Sequence, residues 1–314
     1  MPPSPSRPLV SVVVPVFNEA AVLPELFERL GGLFSAQESC DWEAVLVDDG
    51  SRDDSAQLIR THASRDPRFR LVELTRNFGF QAALAAGLSL AKGDAIVTMD
   101  ADLQDPPEII PQMVERWREG AEVVRASRRS RRETGARRAG MDLFHLFFAR
   151  VSDFPIEPNT GTFGLLSRTA VDALRQLPER HRYFPGLRAW VGFASATVEY
   201  DRQERAAGKP QQTLSRLARY AFDGVFSFSY LPLRALTYAG VLISGAGFAL
   251  GAFFVAKRLL GIESAQTGFT TLVTLLLFLG GVQLIGIGIL GEYLARVYDE
   301  VKQRPLFLIK PPQP

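Results

Sequence analysis

Residues 95–108 read AIVTMDADLQDPPE, an apolar run that leads into three aspartates and a pair of prolines. The apolar run predicts a buried strand that ends at Asp100, and the two prolines predict the start of a helix. A strand, a short polar turn and a helix in this order are typical of one unit of an α/β sheet. Aspartate also forms turns and caps helices, so the stretch alone does not identify a ligand site.

The carboxylates of this stretch have the spacing of a cation site. Asp100 and Asp102 lie two residues apart in the predicted turn, where both can face one ion, and Gln104 adds a carbonyl oxygen. Oxygen ligands suit Mg²⁺ or Mn²⁺, which proteins often hold together with substrate phosphates. The sequence therefore predicts a site for Mg²⁺ or Mn²⁺ at this turn.

The rest of the first half repeats the alternation of strands and helices. Leu9–Val16 reads LVSVVVPV, a β-branched run that predicts a buried parallel strand. The alternation predicts a doubly wound α/β sheet. Strands are predicted at 9–16, 42–47, 69–74, 95–99 and 121–126, and helices at 18–30, 54–63, 81–91 and 106–117.

A second acidic cluster follows another of these strands. Asp48 and Asp49 come directly after the strand at 42–47, as Asp100 and Asp102 follow a later one. Ligands of such sheets bind beyond the carboxyl ends of the strands. Two acidic clusters at strand ends of one sheet favour a binding site over isolated turn residues.

The glycine patterns exclude a dinucleotide fingerprint. The first strand is followed by Phe17, Asn18 and Glu19 and not by a glycine-rich turn. A G-x-G-x-x-G does occur at 286–291, but no strand is predicted before it. It lies inside an apolar run and indicates helix packing.

The chain changes character near Arg234. No charged residue occurs from Ala235 to Ala256 or from Ser264 to Gly291. Each run is long enough to cross a hydrocarbon core of about 30 Å as a helix. The two runs predict a transmembrane hairpin, and a pair of buried core helices is the alternative. Basic residues at both flanks favour cytoplasmic ends, whereas Lys257 and Arg258 in the short linker argue against them.

Composition excludes several further classes of protein. A net charge of +2 argues against a nucleic-acid binder, and we expect no nucleic-acid partner. The single cysteine, Cys40, excludes an intramolecular disulfide framework and a cysteine-based zinc cluster. Residues 1–8 are rich in proline and serine and lack an apolar segment. We therefore expect a disordered tail there, no signal peptide and a cytoplasmic globular part.

Several motifs, taken together, resemble the family 2 glycosyltransferases of the GT-A fold. Within that family, the chain is similar to polyprenyl-phosphate glycosyltransferases of the bactoprenol glucosyltransferase and dolichol-phosphate mannose synthase type. The likeness covers nearly the whole chain from about residue 9. Its motifs are SVVVPVFNEA at 11–20, VDDGS at 47–51, TRNFGFQAALAAGL at 75–88, MDADLQDPPE at 99–108, PNTGTFGLLSR at 158–168, LPERHRYFPGLRAWVGF at 177–193 and YDRQERAAGK at 200–209.

The resemblance implies roles for individual positions. The leaving nucleoside diphosphate needs its charge neutralised, which a cation and arginine side chains can do. The implied nucleotide pocket consists of Pro15, Phe17, Glu19 and Val47, with Asp49 reaching the base. Asp100 would face the ribose or the sugar, and Ala101 would belong to the same donor site. Asp102 and Gln104 would hold Mg²⁺ or Mn²⁺, and Arg128 and Arg205 would bind phosphate. Asp100, Asp102, Arg128 and Arg205 form the implied catalytic set.

The sequence departs from the family pattern at two places. Thr162 stands where relatives commonly have an aspartate that has been considered a candidate base. A lipid phosphate is already ionised near pH 7, since its second pKa is about 6, and it needs no base. Relatives also have R-x-x-G-x-S-K, whereas Pro210 and Gln211 here replace the serine and lysine. The phosphate clamp of the acceptor is therefore the part of the resemblance that the sequence supports least.

These observations predict a membrane-anchored, inverting glycosyltransferase at the inner or plasma membrane. It would move a hexose, with UDP-glucose as the expected donor, to polyprenyl (undecaprenyl) phosphate. The alternatives are a GDP-mannose-dependent polyprenyl or dolichyl-phosphate mannosyltransferase, an aminoarabinosyl or GlcNAc transferase, and an inactive membrane scaffold that retains the fold. The resemblance also implies a homo-oligomer, with a tetramer as the expected state. The expected segments are a tail at 1–8, a catalytic domain at 9–212, an interfacial amphipathic helix at 213–234, two transmembrane helices within 235–294 (about 235–257 and 268–292) and a cytoplasmic tail at 295–314.

Overall fold

The computed structural model describes residues 7–129, 160–177, 179–180, 182–201, 231–260 and 268–311. The chain divides into two compact units. The first contains Met1–Ala218 together with Arg304–Pro314, and the second is Arg219–Gln303. Residues 213–230 of the interfacial helix predicted at 213–234 lie outside the described residues, and 231–234 belong to the helix Leu231–Leu259. Most of the predicted tail at 1–8, Arg205 and Gln211 also lie outside the described residues.

The first unit is built on a seven-stranded sheet with the order β3-β2-β1-β4-β6-β5-β7. All of these strands run parallel except β6, which is antiparallel to both of its neighbours. The predicted α/β sheet is confirmed, and the antiparallel β6 makes it the mixed sheet that the resemblance to the GT-A fold implies. The elements are β1 (Leu9–Val16), α1 (Leu23–Ala36), β2 (Asp41–Asp48), α2 (Ser55–Ala63), β3 (Phe69–Glu73), α3 (Phe80–Leu90), β4 (Ala95–Thr98), a 3₁₀ turn (Pro107–Ile109), α4 (Ile110–Arg118), β5 (Val123–Arg128), β6 (Thr160–Ser167), α5 (Arg168–Arg175), α6 (Phe184–Trp190) and β7 (Ser195–Tyr200).

Helices cover both faces of the sheet, as the unbroken apolar strands require. Even-numbered residues of β1, such as Val12, belong to a core cluster that includes side chains of α1, α2 and α4. On the other face α3 packs against β1 and β2. This approach is close at Gly87, where an added Cβ would lie 2.2 Å from Cγ1 of Val13 and 3.1 Å from Cγ2 of Val47. Because both faces are buried, the loops at the strand ends are the places left for a ligand.

Two predicted helices begin later than the sequence indicated. The helix predicted from Asn18 begins at Leu23, because Asn18 adopts a left-handed φ of 56° in the preceding loop. The helix predicted from Pro106 begins with a 3₁₀ turn and becomes α-helical at Ile110. In both cases the residues between the strand and the helix form a longer loop at the carboxyl edge of the sheet.

The second unit contains α7 (Leu231–Leu259) and α8 (Phe269–Val301). Apolar stretches at Leu233–Phe253 and Phe278–Val301 are long enough to cross a membrane, by length and composition alone. Large apolar side chains point outward on both helices, for example Phe248 with 82% and Leu294 with 68% of its surface exposed. Both helices extend past the predicted ends at 257 and 292.

The C-terminal segment belongs to the first unit and pairs with the edge of the sheet. Leu74 and Ile309 form an antiparallel bridge beyond β3. The Thr75 N–H donates to the Leu308 carbonyl at 2.9 Å, and the Lys310 N–H donates to the Glu73 carbonyl at 2.8 Å. The segment thus covers part of the β3 edge, which would otherwise expose unpaired backbone groups.

Candidate active site

Among the residues that the structure describes, one edge of the sheet gathers the polar side chains that the sequence singled out. The parallel strands end there, so Asp49 follows β2, Asp100 follows β4, and Arg128 is the last residue of β5. The antiparallel β6 begins at the same edge, which brings Thr162 to it. The strand order changes direction between β1 and β4, the position at which such sheets bind ligands.

Asp100 lies in a cluster of carboxylates. Its side chain is half-buried, whereas Asp102 is 9% and Asp105 2% exposed. Burial, followed by the charges of Asp105 and then Asp102, raises the pKa of Asp100 to about 7. Excess negative charge of this kind favours a bound cation, because a nearby positive charge stabilises the ionised carboxylates.

The predicted metal ligands lie two residues apart in the turn after β4. The Gln104 N–H donates to Oδ1 of Asp102 at 3.2 Å, and Leu103 between them has a left-handed φ of 57°. The described residues contain no group of three or more histidine, cysteine, aspartate or glutamate side chains arranged to hold a metal. A set of two protein oxygens suits Mg²⁺ or Mn²⁺, because such ions commonly take their other ligands from water and substrate phosphates. The residues present therefore fit the implied cation.

Thr162 contacts the same cluster from β6. Its hydroxyl donates to Oδ1 of Asp100 at 3.3 Å. This hydrogen bond favours the ionised form and lowers the pKa of Asp100, opposing the effect of burial. The position that departs from the family pattern is thus in direct contact with a predicted site residue.

Arg128 is held by two residues to which the sequence assigned no role. Its Nε–H donates to the Tyr200 hydroxyl at 3.1 Å, and the Tyr200 hydroxyl donates to Asp105. Arg128 Nη2 also lies 3.8 Å from Oδ1 of Asp105. Both residues stand within motifs of the family resemblance, and the pairing of β5 with β7 that joins them is a contact between segments distant in the sequence.

Asp49 anchors the loop before α3. Its two carboxylate oxygens accept the N–H groups of Phe78 at 2.7 Å and Gly79 at 2.8 Å. Burial raises the pKa of Asp49, and the two backbone hydrogen bonds oppose that effect. Each oxygen retains a lone pair, so the implied contact to a nucleotide base remains compatible with this geometry.

The other residues of the implied nucleotide pocket differ in how exposed they are. Pro15 and Val47 are buried, and Val47 packs toward Gly87 of α3, beneath the surface of the site. Phe17 and Glu19 are half-buried in the loop after β1, where the Glu19 N–H donates to Oγ of Ser55 at 3.0 Å. Ala101 is 4% exposed, so its backbone and not its methyl group is what a ligand would meet.

Clustered carboxylates and an arginine at the carboxyl ends of parallel strands suit a ligand that carries phosphate, because the arginine can pair with the anion and the carboxylates can share a cation with it. The family model described as glycosyl transferase family 2 matches residues 11–175. The chain belongs to glycosyl transferase family 2 and is a glycosyltransferase, which confirms the resemblance drawn from the motifs.

Curated relatives match nearly the whole chain. An uncharacterized glycosyltransferase of Synechocystis sp. is 44% identical over 303 residues, with 96% of this chain and 94% of that protein covered. The bactoprenol glucosyl transferase of Shigella phage SfII is 41% identical and the prophage bactoprenol glucosyl transferase homolog of Escherichia coli K12 is 40% identical. Each of these two covers 96% of this chain, and 97% and 98% of its own length, respectively.

Solved structures are more distant. Glucosyl-3-phosphoglycerate synthase from Mycobacterium tuberculosis, solved with Mn²⁺, UDP and its glucosylated product, is 21% identical with a TM-score of 0.49. The match covers 70% of this chain and 78% of that protein.

Proposed function

We propose that this chain transfers glucose from UDP-glucose to a polyprenyl phosphate and produces polyprenyl-phosphate glucose and UDP. The observation that carries the proposal is the identity of 40–41% with proteins named bactoprenol glucosyl transferase, over 96% of this chain. The cluster at the carboxyl edge of the sheet supports it, because carboxylates and a guanidinium suit a donor that carries a metal-bound diphosphate.

The proposed reaction is a single displacement with inversion. An oxygen of the lipid phosphate forms a bond to the anomeric carbon, and the bond from that carbon to the diphosphate oxygen of UDP breaks. The bonding electrons leave with UDP, and no proton has to be removed from the acceptor, because the phosphate is ionised near neutral pH. Thr162 is compatible with this step, since the nucleophile needs no general base.

The proposed roles follow the family resemblance, supported for the described residues by their position at the carboxyl edge of the sheet. Asp102 and Gln104 would hold Mg²⁺ or Mn²⁺, which when bound would supply positive charge to the diphosphate leaving group. Arg128 adds a second positive charge at the same edge, and Arg205 is proposed to act with it on the phosphates. Asp100 faces the sugar or ribose, and Asp49 faces the base.

The acceptor lipid explains the apolar helices. We propose that α7 and α8 form a membrane hairpin with the catalytic unit on the cytoplasmic side. Their outward apolar side chains support this, because such surfaces are stable in lipid and costly in water. A membrane anchor keeps the enzyme at the surface that contains its acceptor. The proposed homo-oligomer rests only on the resemblance.

The proposal is tested by sugar transfer into extractable lipid. Membranes containing the full chain and added polyprenyl phosphate receive labelled UDP-glucose, GDP-mannose, UDP-GlcNAc or UDP-aminoarabinose, with and without a chelator. We expect chelator-sensitive label in lipid from UDP-glucose alone. Transfer from a different donor would replace glucose in the proposal but keep the reaction.

The control separates chemistry from folding. Asp102→Asn keeps the size of the side chain and removes its charge, so we expect a folded protein with little transfer. A wild-type chain that binds UDP but labels no lipid from any donor would contradict the proposed reaction and favour a scaffold that retains the fold.

A further inference from the structure

A buried relay of three side chains lies behind the carboxylate cluster. The Tyr200 hydroxyl donates to Oδ1 of Asp105 and accepts the Nε–H of Arg128 at 3.1 Å. Tyr200 is 4% and Asp105 2% exposed, whereas 26% of the Arg128 side chain remains accessible. The relay is therefore anchored inside the protein and ends at a guanidinium that reaches the surface of the site.

The geometry fixes the direction of that guanidinium. The Tyr200 hydroxyl accepts the Nε–H of Arg128, and Nη2 of Arg128 lies 3.8 Å from Oδ1 of Asp105. The Asp100 carboxylate is also close enough to act on the charge of Arg128. A long arginine side chain at a surface otherwise samples many rotamers, and ordering it costs conformational free energy. The two contacts supply this ordering before any ligand binds.

The phenol ring and its hydroxyl contribute separately. The ring packs edge-on against Phe163 with centroids 5.7 Å apart and is part of the hydrophobic core. A phenylalanine would satisfy this packing equally well. Burial raises the pKa of Tyr200, so the hydroxyl stays protonated and donates to Asp105. The hydroxyl is thus the group that joins Asp105 to Arg128.

We propose that Tyr200 and Asp105 are positioning residues, which hold the Arg128 guanidinium in the orientation that binds the diphosphate of the nucleotide donor. The inference rests on the proposed function, because it needs a diphosphate at this edge of the sheet. Neither residue touches the ligand; both act through Arg128. Preorganisation of this kind strengthens binding because the ordering free energy is spent during folding and not during binding.

A double-mutant cycle on the full chain in detergent tests the proposal. The measured quantity is the dissociation constant of UDP with Mn²⁺, by calorimetry, for wild type, Tyr200→Phe, Arg128→Lys and the double variant. We expect Tyr200→Phe to weaken UDP binding about tenfold, as for one lost orienting hydrogen bond. In the Arg128→Lys background the same change has little further effect, because the guanidinium on which Tyr200 acts is gone.

The controls separate positioning from structure. Tyr298→Phe makes the same chemical change on α8, where the side chain is 61% exposed, and leaves UDP affinity unchanged. Thermal melting confirms that each variant is folded. Should Tyr200→Phe not fold, Asp105→Asn combined with Arg128→Lys forms an equivalent cycle.

The outcomes distinguish this inference from the proposed function. Equal UDP affinity in wild type and Tyr200→Phe overturns the inference alone. Effects of Tyr200→Phe and Arg128→Lys that simply add also overturn it, because they show that Tyr200 acts without Arg128. A folded wild-type chain that binds no UDP overturns the proposed function, and the inference with it.

Discussion

The loop that Asp49 anchors should be sensitive to a single added methyl group at Gly50. Gly50 has a left-handed φ of 69°, and its Cβ position lies 2.6 Å from the carbonyl carbon of Arg76 and 2.7 Å from the backbone nitrogen of Asn77. Both neighbours are backbone atoms, so no side chain can turn aside. The substitution Gly50→Ala must therefore move the loop that carries Phe78 and Gly79 away from Asp49.

The expected loss of stability has two parts. A left-handed conformation costs an alanine about 1 kcal/mol. Overpacking against rigid atoms costs about 2 kcal/mol more. A sum of about 3 kcal/mol corresponds to a fall in Tm of roughly 6–12 °C for a unit of this size. We also expect weaker UDP binding, because the displaced loop borders the implied nucleotide pocket.

Gly192 provides a matched control. It has the same φ of 69°, but its Cβ position lies 3.9 Å from the nearest atom, the Trp190 carbonyl oxygen. Gly192→Ala should therefore show only the conformational cost and lower the Tm by roughly 2–4 °C. The assay is thermal unfolding of the full chain in detergent. Similar melting of the two variants would refute the argument that the close contact at Gly50 dominates.

Three further predictions follow from other parts of the structure. Asp102→Asn should abolish most sugar transfer while the Tm stays near that of wild type; wild-type turnover would contradict its proposed role at the metal. His62 stacks on Phe27 at 4.1 Å, its Nε2 is buried with no hydrogen-bond partner among the described residues, and burial lowers its pKa. Because the unfolded chain then binds the proton more readily, wild-type stability should fall as the pH drops below about 6.5. His62→Phe should weaken that pH dependence in thermal melts and raise stability by about 1 kcal/mol; an unchanged slope would contradict this. Deleting residues 305–314 removes the two backbone hydrogen bonds to the β3 edge and should cost about 2 kcal/mol of stability. As a control, Lys310→Met keeps those backbone hydrogen bonds and should change stability by less than about 1 kcal/mol. If the variant lacking residues 305–314 melts at the same temperature as wild type, the pairing at the β3 edge does not contribute to stability.

The sequence predicts the first part of the sheet well because its signals are local. β1 and β4 are continuous apolar runs, each closed by a turn within a few residues. Parallel strands that are buried on both faces need no partner to be recognised in a sequence. The two acidic clusters could be placed at the same edge for the same reason, since strand direction alone determines that placement.

The second part of the sheet could not be predicted from the same signals. β6 reads TGTFGLLS, with two glycines, and β7 is an edge strand with exposed residues along its length. β6 shows neither a continuous apolar run nor a clean alternation. β7 reads SATVEY and does alternate between polar and apolar residues, a signal that could have indicated this strand but not its place in the sheet. Their pairing with β5 joins residues distant in the sequence, and the contact of Tyr200 with Asp105 and Arg128 depends on that pairing. Side-chain relays of this kind become visible only once the strand order is known.

The contact between Thr162 and Asp100 gives a physical account of the departure from the family pattern. Burial, followed by the charges of Asp105 and then Asp102, already raises the pKa of Asp100. A third carboxyl group at position 162 would add to that repulsion, whereas the Thr162 hydroxyl donates to Asp100 and favours its ionised form. Because an ionised lipid phosphate needs no general base, exchanging an acid for a hydroxyl at this position removes no required proton acceptor. On this reasoning Thr162 adjusts the charge of the site and does not mark the loss of the proposed activity.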